Sequence, residues 1–147
     1  MIVAKTFYEL NNQELYQILR LRSEVFVVEQ DCVYQDLDNK DQISVHVFQK
    51  EKDEIVAYTR IFKSGDYYKN PSIGRVVVSK KNRGKELGKK IMIHSIEYIK
   101  KNLIGEKIEL SAQKYLDKFY KDLGFYKIGE DYLEDGIPHQ RMIKEIN

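Results

Sequence analysis

Cysteine is nearly missing from this chain. Cys32 stands alone among 147 residues, which excludes an internal disulfide and fits a reducing compartment. Proline is almost as scarce, with two, and no long polar tract occurs, so the composition is not that of a disordered or linker-like chain. No apolar run approaches the ~20 residues that a membrane-crossing helix needs. The opening MIVAKTFYEL has neither a basic start nor an apolar stretch of the secretory kind, and a cytoplasmic protein is expected. One cysteine and three scattered histidines give no metal-ligand spacing, so no metal is expected. Two familiar phosphate motifs, GxxxxGK[ST] and GxGxxG, are also absent.

What is present is enough for a core. Hydrophobic residues make up 42% and charged residues 33%, and the length suits one domain over residues 1–147. The net charge of +2 is unevenly spread. Between Lys80 and Lys90 stand Lys80, Lys81, Arg83, Lys85, Lys89 and Lys90 against a single acid, Glu86. A short basic patch on a mildly acidic body suits a small anionic ligand. It is too short to follow a nucleic-acid backbone, so no nucleic-acid partner is expected.

The periodicities predict a mixed α/β order. Residues 2–8 read as a strand, and Asn11 with Glu14 forms a candidate capping box before a helix carrying Leu15, Ile18, Leu19, Val25 and Phe26. At about 100° per residue Arg22 falls inside that apolar stripe. It is either an arginine snorkelling from the edge or a guanidinium aimed into a cleft. The acidic stretch 29–41 reads as a loop. Strand patterns at 43–49, 55–62 and 73–79 follow, and an amphipathic helix spans 84–102. A strand at 107–112 leads to a short helix with Leu116, Phe119, Tyr120 and Leu123 on one face, stopped by Gly124. Last come strands at 125–129 and 139–145 around the turn-like EDGIP. The order β-α-β-β-β-α-β-α-β-β implies a mostly antiparallel central sheet with helices on both faces.

The segment SIGRVVVSKKNRGKELGKK runs from a β-rich strand through a basic turn into a helix. Helix N-termini present backbone N–H groups without intrahelical partners and a partial positive charge, so such a turn is an anion site. Arg83-Gly84-Lys85-Glu86-Leu87-Gly88 resembles the RxxGxG/A pyrophosphate loop of GNAT acetyltransferases, and AQKYLDKFYKDLGF is similar to that superfamily's A-x-x-FYxxxGF segment. The opening LRSEVFVVEQDCVYQDLDNKD with His46, and the closing YLEDGIPH, resemble its ElaA-like branch.

The resemblance implies a GNAT fold and an acetyl-CoA-dependent N-acetyltransferase acting in a ternary complex, with acetyl-CoA as co-substrate and an amine, small-molecule or peptide, as acceptor. Pantetheine would pair with the backbone of Val76, Val77 and Val78. The pyrophosphate would rest on Arg83, Gly84, Lys85, Glu86, Leu87, Gly88 and Lys89. Tyr120 would protonate the leaving thiolate. Several members of the superfamily pair as homodimers, so a second copy is an allowed partner.

The pattern breaks in two places. Glu86 stands where the loop's first glycine belongs; a positive φ there would cost roughly 1–3 kcal/mol, and weakened cofactor affinity is expected. The strand 73–78 has no carboxylate to serve as general base, which leaves His46, Glu134, Asp135, His139 and Glu29 as candidates. Arg22, Glu29 and Arg75 are candidate acceptor-binding residues; the arginines equally suit pairing with the acidic loop. A non-catalytic acyl-CoA-binding module is the alternative. So is a transferase of longer acyl groups, because LRSEVF followed by aspartates is also similar to acyl-homoserine-lactone synthases.

Overall fold

The computed structural model describes residues 1–146. Its strands are β1 (Ile2–Thr6), β2 (Val45–Glu51), β3 (Glu54–Phe62), β4 (Ser72–Val78), β5 (Lys107–Gln113), β6 (Tyr126–Glu134) and β7 (Ile137–Glu145). The helices are α1 (Asn12–Arg22), α2 (Leu87–Asn102) and α3 (Asp117–Asp122). One seven-stranded sheet forms in the order β1-β2-β3-β4-β5-β7-β6. Every neighbour is antiparallel except β4 beside β5. This is the expected element order and the GNAT architecture.

Alternation along the strands gives the sheet two apolar faces. Val47, Ala57 and Ile61 meet Ile91, Met92 and Ile99 of α2 on one side. Phe48, Tyr58 and Val77 meet Ile18 and Leu21 of α1 on the other. The capping box opens α1 as expected: Glu14 N–H donates to Asn11 Oδ1 at 2.7 Å, and Asn11 N–H to Glu14 Oε1 at 3.0 Å. Past Arg22 the helix widens into π-type turns over Ser23–Glu29 and hands the chain to the acidic loop.

Two details of β4 position the site. Tyr58 pairs with Val77 and Arg60 with Gly74, so Thr59 faces both Arg75 and Val76. This is a β-bulge, with Arg75 at φ 50. On its other side β4 meets β5 only at Ser72 and Glu109, where Glu109 N–H also reaches Pro71 O at 2.9 Å. Beyond that point the two parallel strands diverge. The sheet splits into a V, and the edge of β4 from Ile73 to Val78 is left without a strand partner toward β5.

Candidate active site

The V holds a cleft of about 540 Å³. Ile73 to Val78 form one wall and Ser111 and Gln113 of β5 the other. Phe119 and Tyr120 of α3 and the β6–β7 turn also line it. Unpaired backbone N–H and C=O groups along an open strand edge are a template for an extended chain bearing amides.

At one end of the cleft lies the basic turn. The structure shortens the expected helix: α2 begins at Leu87, because Gly84 (φ 84) and Glu86 (φ 61, ψ 22) both take left-handed backbone. Lys90 N–H donates to Glu86 O at 3.1 Å, so the N–H groups of Leu87, Gly88 and Lys89 precede the first helical bond. Gly88 lines the cleft, and a Cβ there would rest 3.5 Å from the Phe119 ring. Glu86 is exposed and forms no ion pair with Lys85, Lys89 or Lys90 among the described residues. Lys85 Nζ donates to Asn82 Oδ1 at 3.4 Å, while the Leu87 side chain packs in the core.

Arg83 leans back over the strand end. Its Nε donates to Val78 O at 3.2 Å, and its two terminal nitrogens grip Glu29 at 2.6 and 3.0 Å. The Arg83 hydrogen bond holds the Glu29 carboxyl below its usual range. Glu29 and Arg83 both line the cleft, so this bidentate bridge lies at its basic end.

Tyr120 is 5% exposed and stands edge-on to Phe119 and Phe125. Burial, aided by nearby Tyr115, pushes its hydroxyl well above the ordinary phenol range, so it stays protonated at neutral pH. Across the cleft a polar cluster gathers from distant parts of the chain. Ser111 Oγ bonds the Tyr132 hydroxyl and donates to Glu134 Oε1 at 3.3 Å. His139, 6% exposed, donates from Nδ1 to Ile137 O at 2.7 Å, since a carbonyl can only accept. That bond makes Nδ1 a donor, and Nε2 stands 3.4 Å from Glu134 Oε2. Asp135 (φ 52) and Gly136 (φ 77) form the two-residue turn that carries Glu134, as a type I′ hairpin requires.

Of the expected site residues, Val76, Val77, Val78, Arg83, Gly88, Tyr120, Glu134, His139, Glu29 and Arg75 line the cleft. Gly84, Lys85, Glu86, Leu87 and Lys89 surround its basic end. Two of the expected residues, His46 and Arg22, do not line the cleft. His46 lies fully buried within the sheet, its Nε2 donating to Asp41 O at 2.9 Å and its Nδ1 accepting from Tyr58 at 2.6 Å. Desolvation lowers its pKa, so it is a neutral packing group away from the cleft. Arg22 is also fully buried, bonded to Asp36 and Asp41 at 2.8 Å each.

Arg60 holds Asp38 and Asp41, and Arg75 holds Asp36 at 2.8 Å and Asp38 at 3.5 Å. Three arginines thus meet three aspartates of the acidic stretch, the pairing that the sequence allowed as one of its readings. Ser111, Tyr132 and Phe119 were missed as site residues. Alternation places Ser111 on a strand face but carries no sign of a cleft.

Residues 6–146 match the model of the acetyltransferase (GNAT) domain family. The chain is 42% identical over 140 residues to protein ElaA of Escherichia coli, covering 94% of this chain and 92% of that one. The crystal structure of Escherichia coli ElaA superposes with a TM-score of 0.92 at 39% identity, over 99% of both chains. An acyl-CoA N-acyltransferase from Pseudomonas aeruginosa gives a TM-score of 0.92 at 36% identity, over 98% of this chain and 99% of that one.

Proposed function

Since the chain belongs to the GNAT acetyltransferase family, we propose that it moves an acetyl group from acetyl-CoA to a primary amine by direct attack within a ternary complex. The observation that carries this reading is the join between the open β4 edge and the helix N-terminus at Leu87, with Tyr120 beside it in the same cleft. Pantetheine amides pair along Val76–Val78, and the pyrophosphate accepts from the N–H groups at the start of α2. The amine gives up its proton to His139 Nε2, which Glu134 steadies once charged. Its nitrogen then attacks the thioester carbonyl. The C–S bond breaks, Tyr120 passes its proton to the departing sulfur, and the extra proton left on the new amide nitrogen returns to the Tyr120 oxygen. His46 and Arg22 take no part. The lone cysteine supports a cytoplasmic setting.

The test is calorimetric titration with acetyl-CoA, followed by thiol release with an amine panel. Tyr120→Phe should lower kcat by roughly 10²-fold or more, the usual scale of general acid catalysis, with cofactor affinity unchanged. Binding without thiol release for any amine would favour a non-catalytic acyl-CoA-binding module.

A further inference from the structure

Residues 29–32 cross the open V, and three of their side chains reach three separate walls of the cleft. Glu29 grips Arg83, beyond the end of β4, at 2.6 and 3.0 Å. Gln30 Oε1 accepts from Gln113 Nε2 of β5 at 3.4 Å. The Cys32 thiol donates to Asp135 O, in the β6–β7 turn, at 3.7 Å. All six residues line the cleft. The segment is anchored on both sides by firmer structure. Behind it are the π-type turns, where Cys32 N–H donates to Val27 O at 3.1 Å; ahead of it Asp36 is held by Arg22 and Arg75. Between these anchors only side chains tie it to the opposite walls, and such a piece of chain is the first to open.

Arg83 shows what the crossing covers. Ser79 N–H donates to Val56 O, so by alternation the Val78 carbonyl faces the open edge of β4. Arg83 Nε donates to that carbonyl at 3.2 Å. The guanidinium thus takes the last acceptor on an edge otherwise free to pair with amides. Its two terminal nitrogens are taken by the Glu29 carboxylate. The fork of an arginine fits a carboxylate and a phosphate in the same bidentate way, so Glu29 sits where an anionic ligand of Arg83 would sit.

Resting on the acetyl-transfer reading, we propose that residues 29–32 are a strap that closes the cleft of the free protein, and that acetyl-CoA binds by displacing it. Glu29 stands in for the pyrophosphate on Arg83. When the cofactor enters, Arg83 exchanges Glu29 for a phosphate oxygen and gives up the Val78 carbonyl to a pantetheine amide. The strap then lifts from Gln113 and Asp135. The Glu29–Arg83 bridge is partly exposed, so it holds the strap as a weak latch. Because only the open fraction of molecules accepts the cofactor, the apparent affinity and association rate are scaled by that fraction.

Gln30→Ala tests this directly, since it cuts one tie, changes no charge and touches none of the groups assigned to the cofactor. The chain has no tryptophan, and Tyr34, Tyr115 and Tyr120 line the cleft, so stopped-flow tyrosine fluorescence can follow acetyl-CoA binding. Gln30→Ala should raise the association rate constant about two- to fivefold, the scale of one hydrogen bond. It should leave the dissociation rate within about twofold, because the tie is absent from the bound state. Gln113→Ala breaks the same tie from the other side. It should act alike, and the double variant should gain nothing further. An unchanged association rate in both single variants, or an effect confined to dissociation, would overturn the strap while leaving acetyl transfer standing. Gains that add in the double variant would overturn it as well. Failure of the unaltered protein and of both variants to bind acetyl-CoA would remove the strap and the acetyl-transfer reading together.

Discussion

Arg75 on the β4 wall of the cleft and Glu86 before α2 both hold left-handed backbone, at φ 50 and φ 61, where a side chain is strained. Arg75 is compensated. Its Nε bonds Asp36 Oδ1 at 2.8 Å and a second nitrogen bonds Asp36 O at 3.0 Å, so the strain of the bulge is offset by a charge-assisted anchor. Glu86 has no such anchor: its side chain makes no cap bond to α2. Glu86→Gly should therefore stabilise the fold by about 1 kcal/mol, the left-handed penalty less the greater unfolded-state freedom of glycine. It should also tighten acetyl-CoA binding several-fold, because an anion leaves the pyrophosphate site. Urea unfolding and calorimetry read the two effects separately. Unchanged stability would mean that the backbone at this position relaxes, and poorer cofactor affinity would mean that the carboxylate helps.

The π-type turns and the acidic loop act together as one element laid over the cleft. Glu29, where the turns pass into the loop, would compete with any pyrophosphate for the guanidinium of Arg83. Glu29→Gln should tighten coenzyme A binding by up to about fivefold, as expected for removal of an exposed ion pair, and leave adenosine binding unchanged. Weaker binding would show that Glu29 orients Arg83 toward the cofactor. Further along, the loop is fastened by Arg22, Arg60 and Arg75 through Asp36, Asp38 and Asp41. Burial works against ionisation of Asp38, but the Arg60 hydrogen bonds and charge prevail and hold it at about 2. Asp41 is lowered by the same balance between burial and its two arginines. A depressed folded-state pKa means that the stabilisation is complete above the unfolded value near 3.9 and lost as pH falls toward about 2. The loop should hence loosen between roughly pH 4 and pH 2 while remaining indifferent to pH from 5 to 8. Tyr34, whose hydroxyl donates to Asp36 at 3.1 Å, offers a local reporter by NMR; a transition centred above pH 5 would show that these aspartates are not what fastens the loop.

At the scale of the molecule, the element order was legible because each segment carries its own period. Boundaries failed where backbone conformation overrode composition. The second helix starts at Leu87 rather than Gly84 because two left-handed residues precede it, and β6 runs on to Glu134 because Gly129 (φ 68) sits in a bulge instead of ending the strand. The basic end of the cleft was legible too, since strand, turn and helix are contiguous in sequence. The polar cluster opposite was not. It is assembled from Ser111, Tyr132 and His139 on three strands whose adjacency depends on β7 lying between β5 and β6. Arg22 announced itself by interrupting an apolar stripe, but Asp36 and Asp41 complete it only in the folded chain.

The same topology makes the sheet two blocks joined at Ser72 and Glu109, which leads to a prediction for the whole fold. Ser79 N–H donates to Val56 O at 2.9 Å, so by strand alternation the Val78 N–H points toward the open edge. In the free protein that amide should exchange with solvent far faster than the amide of Tyr58, whose strand is paired on both sides. Acetyl-CoA should slow exchange at Val78 by at least ~10-fold as the pantetheine takes the place of the missing strand, and leave Tyr58 unaffected. Protection of Val78 already complete without cofactor would mean that the V closes on its own. Protection spreading equally to both residues would mean that coenzyme A stabilises the fold globally and does not pair with this edge.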